Sequence, residues 1–134
     1  ALALGAEGVQ VGSRFVATPE ASSHINFKQA VVNAKEGDTM LSLKKLTPVR
    51  LLKNAFFNAV HTAENNGADA EALKILLGRA RAKAGMFEGN LEEGELEIGQ
   101  VSALINEIKP AAEVVADIWQ ECIATIKKLR DFAG

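Results

Sequence analysis

Residues 5–15, Gly5-Ala6-Glu7-Gly8-Val9-Gln10-Val11-Gly12-Ser13-Arg14-Phe15, decide how the chain is read. Before them, Ala1-Leu2-Ala3-Leu4 reads as the last turn of a helix, which Gly5 can end by adopting the left-handed conformation. From Gly8 to Phe15 the run is short, β-branched and bounded by glycines, which predicts a buried strand. The order is helix, tight turn, strand, then a glycine and a hydroxyl residue at the strand's C-terminal end. A dinucleotide-binding fingerprint has strand, glycines and helix in the opposite order, so that reading fails. The last βα unit of a (β/α)8 barrel does fit, because loops after its seventh and eighth strands commonly hold a phosphate. Gly12 would let a phosphate approach backbone N–H groups closely, and Ser13 would add a hydroxyl donor. On spacing alone, a plain turn whose glycines serve only tight packing stays open.

One strand cannot satisfy its own backbone hydrogen bonds, so it is expected to join a sheet built mostly from other residues. The first turn has no cap before it, no initiator Met and no charged, cleavable leader. The N-terminus therefore reads as a cut through a longer protein.

The 134 residues are 48% hydrophobic and 24% charged, a composition that excludes disorder and fibrous repeats and sets one domain as the natural count. No apolar run reaches the roughly 20 residues of a transmembrane helix. Fifteen Lys and Arg against 17 Asp and Glu leave a net charge of −2, with no electrostatic case for binding nucleic acid. A single cysteine, Cys122, cannot form an intrachain disulfide, which fits a reducing compartment.

Downstream the pattern is mainly helical. Thr18-Pro19 predicts a cap and first turn, leading a broken helix to about Lys35. Gly37-Asp38 predicts a turn, and Met40 to Lys44 a short extended segment. Thr47-Pro48 repeats the cap signal, with Val49, Leu52, Phe56 and Val60 on one helical face up to Asn65-Asn66-Gly67. Asp69 is expected to cap a helix through Leu73, Leu76, Leu77 and Ala80 to Gly85. A shorter helix over Ile98, Val101, Leu104, Ile105 and Ile108 must stop near Pro110. Pro110 then opens a last helix whose stripe is Val115, Ile118, Cys122, Ile126 and Leu129. The expected fold is mostly α with one or two short strands, the C-terminal portion of a (β/α)8 barrel plus a helical appendage. Residues 1–36 would be the last βα unit and residues 37–134 the appendage.

The segment Ala1 to Thr18, with Gln10-Val11-Gly12-Ser13-Arg14-Phe15 as its most specific part, resembles the eighth-strand region of the nitronate monooxygenase (2-nitropropane dioxygenase-like) flavoproteins. That family includes the FMN-dependent enoyl-acyl-carrier-protein reductases. The resemblance continues through His24, Phe27-Lys28, Pro48-Val49-Arg50, Lys53-Asn54, Glu88-Gly89, Gly94 and Gly99-Gln100, and the spread of these matches looks more like the reductase branch. It implies that Gln10, Val11, Gly12 and Ser13 lie against the phosphate end of FMN, largely through backbone N–H groups. It also implies that Gly99 and Gln100 return toward the flavin and substrate pocket. Ser13 stands where the family usually has threonine, which keeps the donor. The family's catalytic histidine is expected upstream of Ala1, so no catalytic residue is expected here, and neither His24 nor His61 takes that role.

The remaining candidates have plainer readings. His24 and His61 lack partner ligands at metal spacing, so no metal is expected. Cys122 falls on an apolar stripe as a buried, inert thiol, with Trp119 at the stripe's edge. Glu88, Glu92, Glu93, Glu95 and Glu97 read as a solvated turn. Arg79, Arg81 and Lys83 complement a helix end, or form a dock for an acidic carrier protein.

The resemblance implies hydride transfer from NADH or NADPH through FMN to an enoyl thioester on acyl-carrier protein, in a cytoplasmic enzyme, possible as a homodimer. A nitronate monooxygenase acting on a small nitronate is the alternative enzyme. A stand-alone helical interaction module is the alternative from another class. The 134 residues alone are expected to be inactive, with one loop of a two-loop phosphate cup.

Overall fold

Leu51 and Leu52 are adjacent and both buried, an arrangement that suits a strand with its two faces covered. In the computed structural model, which describes residues 1–133, they end strand β2 (Val49–Leu52). It pairs antiparallel with β1 (Thr39–Ser42), from Thr39 opposite Leu52 to Ser42 opposite Val49. Alternation of side chains then divides the core. Leu51 packs with Leu43, Phe56, Phe57, Val60 and Leu73. Leu52 packs on the other side with Phe27, Val31, Leu96, Ile98 and Ile105. The second cluster also contains Ala17 and Ala34, so it joins residues from both sides of position 36. The free edge of β2 is covered by residues 96–98: Leu52 N–H donates to the Leu96 carbonyl (2.9 Å), and Ile98 N–H to that of Arg50 (3.1 Å).

The described residues also form five helices, α1 (Ser13–Val16), α2 (Ile25–Asn33), α3 (Ala55–Asn65), α4 (Ala70–Leu77) and α5 (Ala111–Ala133). Leu2–Leu4 and Gln100–Leu104 form 3-10 turns, and Lys83–Phe87 a wider π-type turn. The expectation of a mostly helical chain with one or two short strands holds. The first turn ends as read, with Gly5 left-handed at φ 91°.

Several element assignments change. The strand expected from Gly8 to Phe15 does not form: residues 8–12 have no regular structure and Ser13–Val16 is helical. No described strand lies beside them, and an isolated strand cannot pair its backbone. Thr18 does not open a helix, because its hydroxyl turns back to the Phe15 carbonyl at 2.9 Å. The helix waits for His24, whose Nδ1 accepts the Asn26 N–H. Pro48 leads into β2 instead of a helix, and Asn54 caps α3 through the Phe57 N–H.

Asp69 caps α4 as expected, but Gly78 (φ 65°) ends that helix well before Gly85. Arg81 covers the exposed end, its Nε donating to the Leu77 carbonyl at 2.9 Å while the guanidinium lies 4.6 Å over the Phe56 ring. Ile98 belongs to the edge of β2 instead of a helix, and the turn after it is 3-10. Gly94 is required by contact: a Cβ there would sit 2.2 Å from the Gly85 Cα and 2.4 Å from the Asn90 carbonyl oxygen. Two backbones cross at that point with no room between them.

The stripe of α5 is the largest departure. Val114 is buried, but Val115, Ile118, Trp119, Ile126 and Leu129 are exposed and Cys122 is only half-buried. Nothing among the described residues covers that face fully. Glu95 also departs from the solvated turn expected for its neighbours, being buried while Glu88, Glu92 and Glu93 are exposed.

Candidate functional site

Gly8 through Gly12 run along the surface, and no hydrogen bond among the described residues uses their N–H groups. A Cβ on Gly8 or Gly12 would meet nothing within 4 Å. Gln10, Val11 and Gly12 thus present an open backbone with unspent donors. Gly12 precedes α1, and Ser13 is its first residue.

Ser13 is half-buried and points across the chain. Its Oγ accepts the Gly99 N–H at 3.1 Å, over a separation of 86 residues. Gly99 permits this approach, because a Cβ on it would lie 2.7 Å from that oxygen. Beside the pair lies an open hollow of about 410 Å³ walled by Ser13, Pro48, Arg50, Glu97, Ile98 and Gly99. Arg50 holds one edge, its Nη1 donating to the Thr39 carbonyl (3.3 Å) and hydroxyl (3.2 Å).

Of the residues expected to act, Ser13 and Gly99 meet. Val11 instead faces a groove of about 900 Å³ between residues 1–15 and α5, walled on the helix by Val115, Ile118, Trp119, Cys122 and Leu129. Gln10, Gly12 and Gln100 line neither concavity, and Gln100 is exposed at the start of its 3-10 turn. Arg50 was not singled out from the sequence as a site residue, although it stood in the Pro48-Val49-Arg50 match.

Three more ties run alongside the Ser13–Gly99 bond. Arg14 Nη1 donates to the Glu107 carbonyl, Lys109 N–H to the Ala17 carbonyl, and Ala111 N–H to the Glu20 carboxylate. Glu20 thereby caps α5 from a distant segment, where a negative charge complements the helix dipole. Lys109 bonds Asp117, in the second turn of α5, and pairs with Glu107. The hydrogen bond it donates to Asp117 holds the pKa of its ammonium above the ordinary value, against a smaller opposing effect of desolvation.

The remaining polar candidates have structural partners. The His24 ring packs on Gly89, where a Cβ would fall 2.2 Å from Nδ1, and Asn26 donates to the Gly89 carbonyl. His61 stacks on Phe57 and meets Asn65 at 3.1 Å. Lys28 is buried with its ammonium on the Pro19 and Ala21 carbonyls. Arg81 is tied to Glu93, and Lys83 pairs with Glu88. Burial pushes the Glu95 carboxyl above its ordinary 4.5, with Glu97 adding to the rise and Arg81 opposing it. Among the described residues, no three His, Cys, Asp or Glu side chains converge as a metal site. No described helix is long and apolar enough to cross a membrane.

The same arrangement of elements occurs within larger solved proteins. FabK from Thermotoga maritima superposes with a TM-score of 0.88 at 36% identity, over 98% of this chain and 42% of that one. A point mutant of FabK from the same organism gives 0.79 at 32% identity, over 98% and 38%. The fold is therefore that of part of a (β/α)8-barrel protein. A nitronate monooxygenase of Paraburkholderia phytofirmans is 30% identical over 135 residues, 100% of this chain and 37% of the relative. The model of the nitronate monooxygenase family matches residues 1–121, and the chain belongs to that family. It spans about two-fifths of the length of these relatives.

Proposed function

We propose that the chain forms part of an FMN-dependent oxidoreductase that reduces an enoyl thioester carried on acyl-carrier protein, using NADH or NADPH, in the cytoplasm. The observation that carries this reading is the likeness to FabK over 98% of the chain, supported by the match to the family model. The residues present suit the cofactor's phosphate. Residues 8–12 hold unspent N–H donors, Gly12 leaves its approach open, and the Ser13 hydroxyl has its proton free to donate.

In this reading Gln10, Val11, Gly12 and Ser13 grip the phosphate, while Gly99 and Gln100 border the substrate side. FMN supplies the hydride chemistry when bound. Neither histidine takes part: His24 is spent as a helix cap and His61 is stacked on Phe57. The 134 residues alone would be inactive, because hydride transfer needs both reactants held at near-attack distance.

The full-length protein tests this. Gly12→Val should weaken FMN binding strongly in a flavin titration, since a Cβ there meets no atom within 4 Å and the branched side chain would stand in the phosphate's approach. Ser13→Ala should cost about 1 kcal/mol, one neutral hydrogen bond among several. Wild-type affinity in both variants would overturn the assignment. The second reading, oxidation of a nitronate with oxygen, is favoured by the Paraburkholderia relative. Oxygen uptake with a nitronate, without nicotinamide oxidation on a crotonyl thioester, would select it.

A further inference from the structure

We propose that the Ser13 hydroxyl is a positioning link that transmits occupancy of the phosphate segment to Gly99-Gln100. This inference rests on the FMN reading above and adds a coupling to it. A serine hydroxyl has one proton to donate and two lone pairs to accept with. In this structure one lone pair takes the Gly99 N–H at 3.1 Å, and the proton goes to no described acceptor. The hydroxyl is therefore half used, and the unused half is the one a phosphate oxygen requires.

The two halves are not independent. An O–H donated to an anion draws its proton outward and leaves the oxygen a better acceptor, so the bond from Gly99 strengthens when the phosphate arrives. Gly99 is well placed to pass this on. On one side, Ile98 N–H is fixed to the Arg50 carbonyl at the edge of β2. On the other, the Gly99 carbonyl accepts Ser102 N–H at 3.0 Å, closing the 3-10 turn that begins with Gln100. Holding Gly99 thus orders the turn that presents Gln100. The absence of a side chain is part of the device, because any Cβ would press on the Ser13 oxygen at 2.7 Å. Gly99 has ordinary backbone angles (φ −69°), so contact, and not conformation, demands glycine here.

Amide hydrogen exchange on the full-length protein tests the link, with wild type, Ser13→Ala, Ser13→Thr and Gly99→Ala compared with and without FMN. Riboflavin, which lacks the phosphate, is the second ligand. The wild type and Ser13→Thr should show exchange at Gly99 slowed up to roughly twofold by FMN, the factor carried by strengthening a neutral hydrogen bond that already exists. Riboflavin should not slow it. Ser13→Ala and Gly99→Ala should bind FMN, read by flavin fluorescence, yet show no FMN-dependent slowing at residue 99. Slowing that persists in Ser13→Ala, or that riboflavin matches, would overturn the link while leaving the FMN assignment standing. Loss of the Ser13→Ala effect to a ligand-independent change, equal with and without FMN, would make the bond merely structural and also overturn it. Absence of FMN binding by the wild type would overturn both.

Discussion

Glu95 is a carboxylate that the fold would hold more comfortably as the acid. Burial raises its pKa above 4.5, Glu97 adds to the rise, and Arg81 only partly opposes it. The folded chain therefore binds this proton more tightly than the unfolded chain does. Stability contributed through Glu95 is full below the ordinary value and is lost as pH rises through the elevated one. Glu95→Gln should raise the melting temperature at pH 7 and leave it unchanged at pH 4, so the difference between the two curves should open as pH climbs. Parallel curves for wild type and variant would show that burial of this carboxyl carries no cost. The sequence hid this residue because four neighbouring glutamates made its segment look uniformly solvated, and only the Gly85–Gly94 crossing draws position 95 inward. Ser13 was named from its place after Gly12 and Gly99 from family likeness, but their contact was not legible, since nothing in composition or period reports a pairing over 86 residues. Lys28 was matched by likeness alone, and its role in closing the turn at Pro19 and Ala21 emerges from geometry.

Among the elements, α3 shows where local signals succeed and where they fail. Its end at Asn65-Asn66-Gly67 was readable, and Gly67 is left-handed at φ 84°. Its start was misplaced, because Thr47-Pro48 resembles a cap while Val49, Leu52, Phe56 and Val60 fit a helical period. The burial of Leu51 beside Leu52 breaks that period, and only the two-sided core explains it. The true cap, Asn54, does three things: it accepts Phe57 N–H at 2.8 Å and donates to the Leu91 and Gly94 carbonyls at 2.9 and 2.8 Å. Asn54→Ala should therefore cost about 2–4 kcal/mol, a lost cap plus two carbonyls left without their donor. Asn54→Asp, which keeps the cap but sets a carboxylate oxygen against both carbonyls, should cost at least as much. Urea unfolding monitors both, with a lowered midpoint and an unchanged slope expected. A loss under about 0.5 kcal/mol for the alanine variant would show that the 91–94 turn holds itself.

At the scale of the whole molecule, the open apolar face of α5 dominates. Ile118, Trp119, Ile126 and Leu129 are exposed along the groove beside residues 1–15, more apolar surface than isolated soluble domains usually leave uncovered. The chain expressed alone should therefore self-associate as concentration rises. Trp119, the sole tryptophan, reports on it: its emission should shift to the blue as light scattering increases. A monomer at every concentration with unshifted emission would contradict this. The sequence predicted the stripe and its helix correctly but took the face for core, since periodicity shows which side is apolar and not what lies against it. The four ties between residues 13–20 and 99–111 have a kinetic consequence. They span 86 to 93 residues of chain, so each closes a long loop whose entropy must be met before the bond returns anything. The hairpin and the cluster around Leu51 close far shorter loops and are expected before them. Docking of α5 against the segment after Gly12 is then expected late in folding, and a chain caught earlier would carry the hairpin and the Leu51 cluster with an unattached final helix.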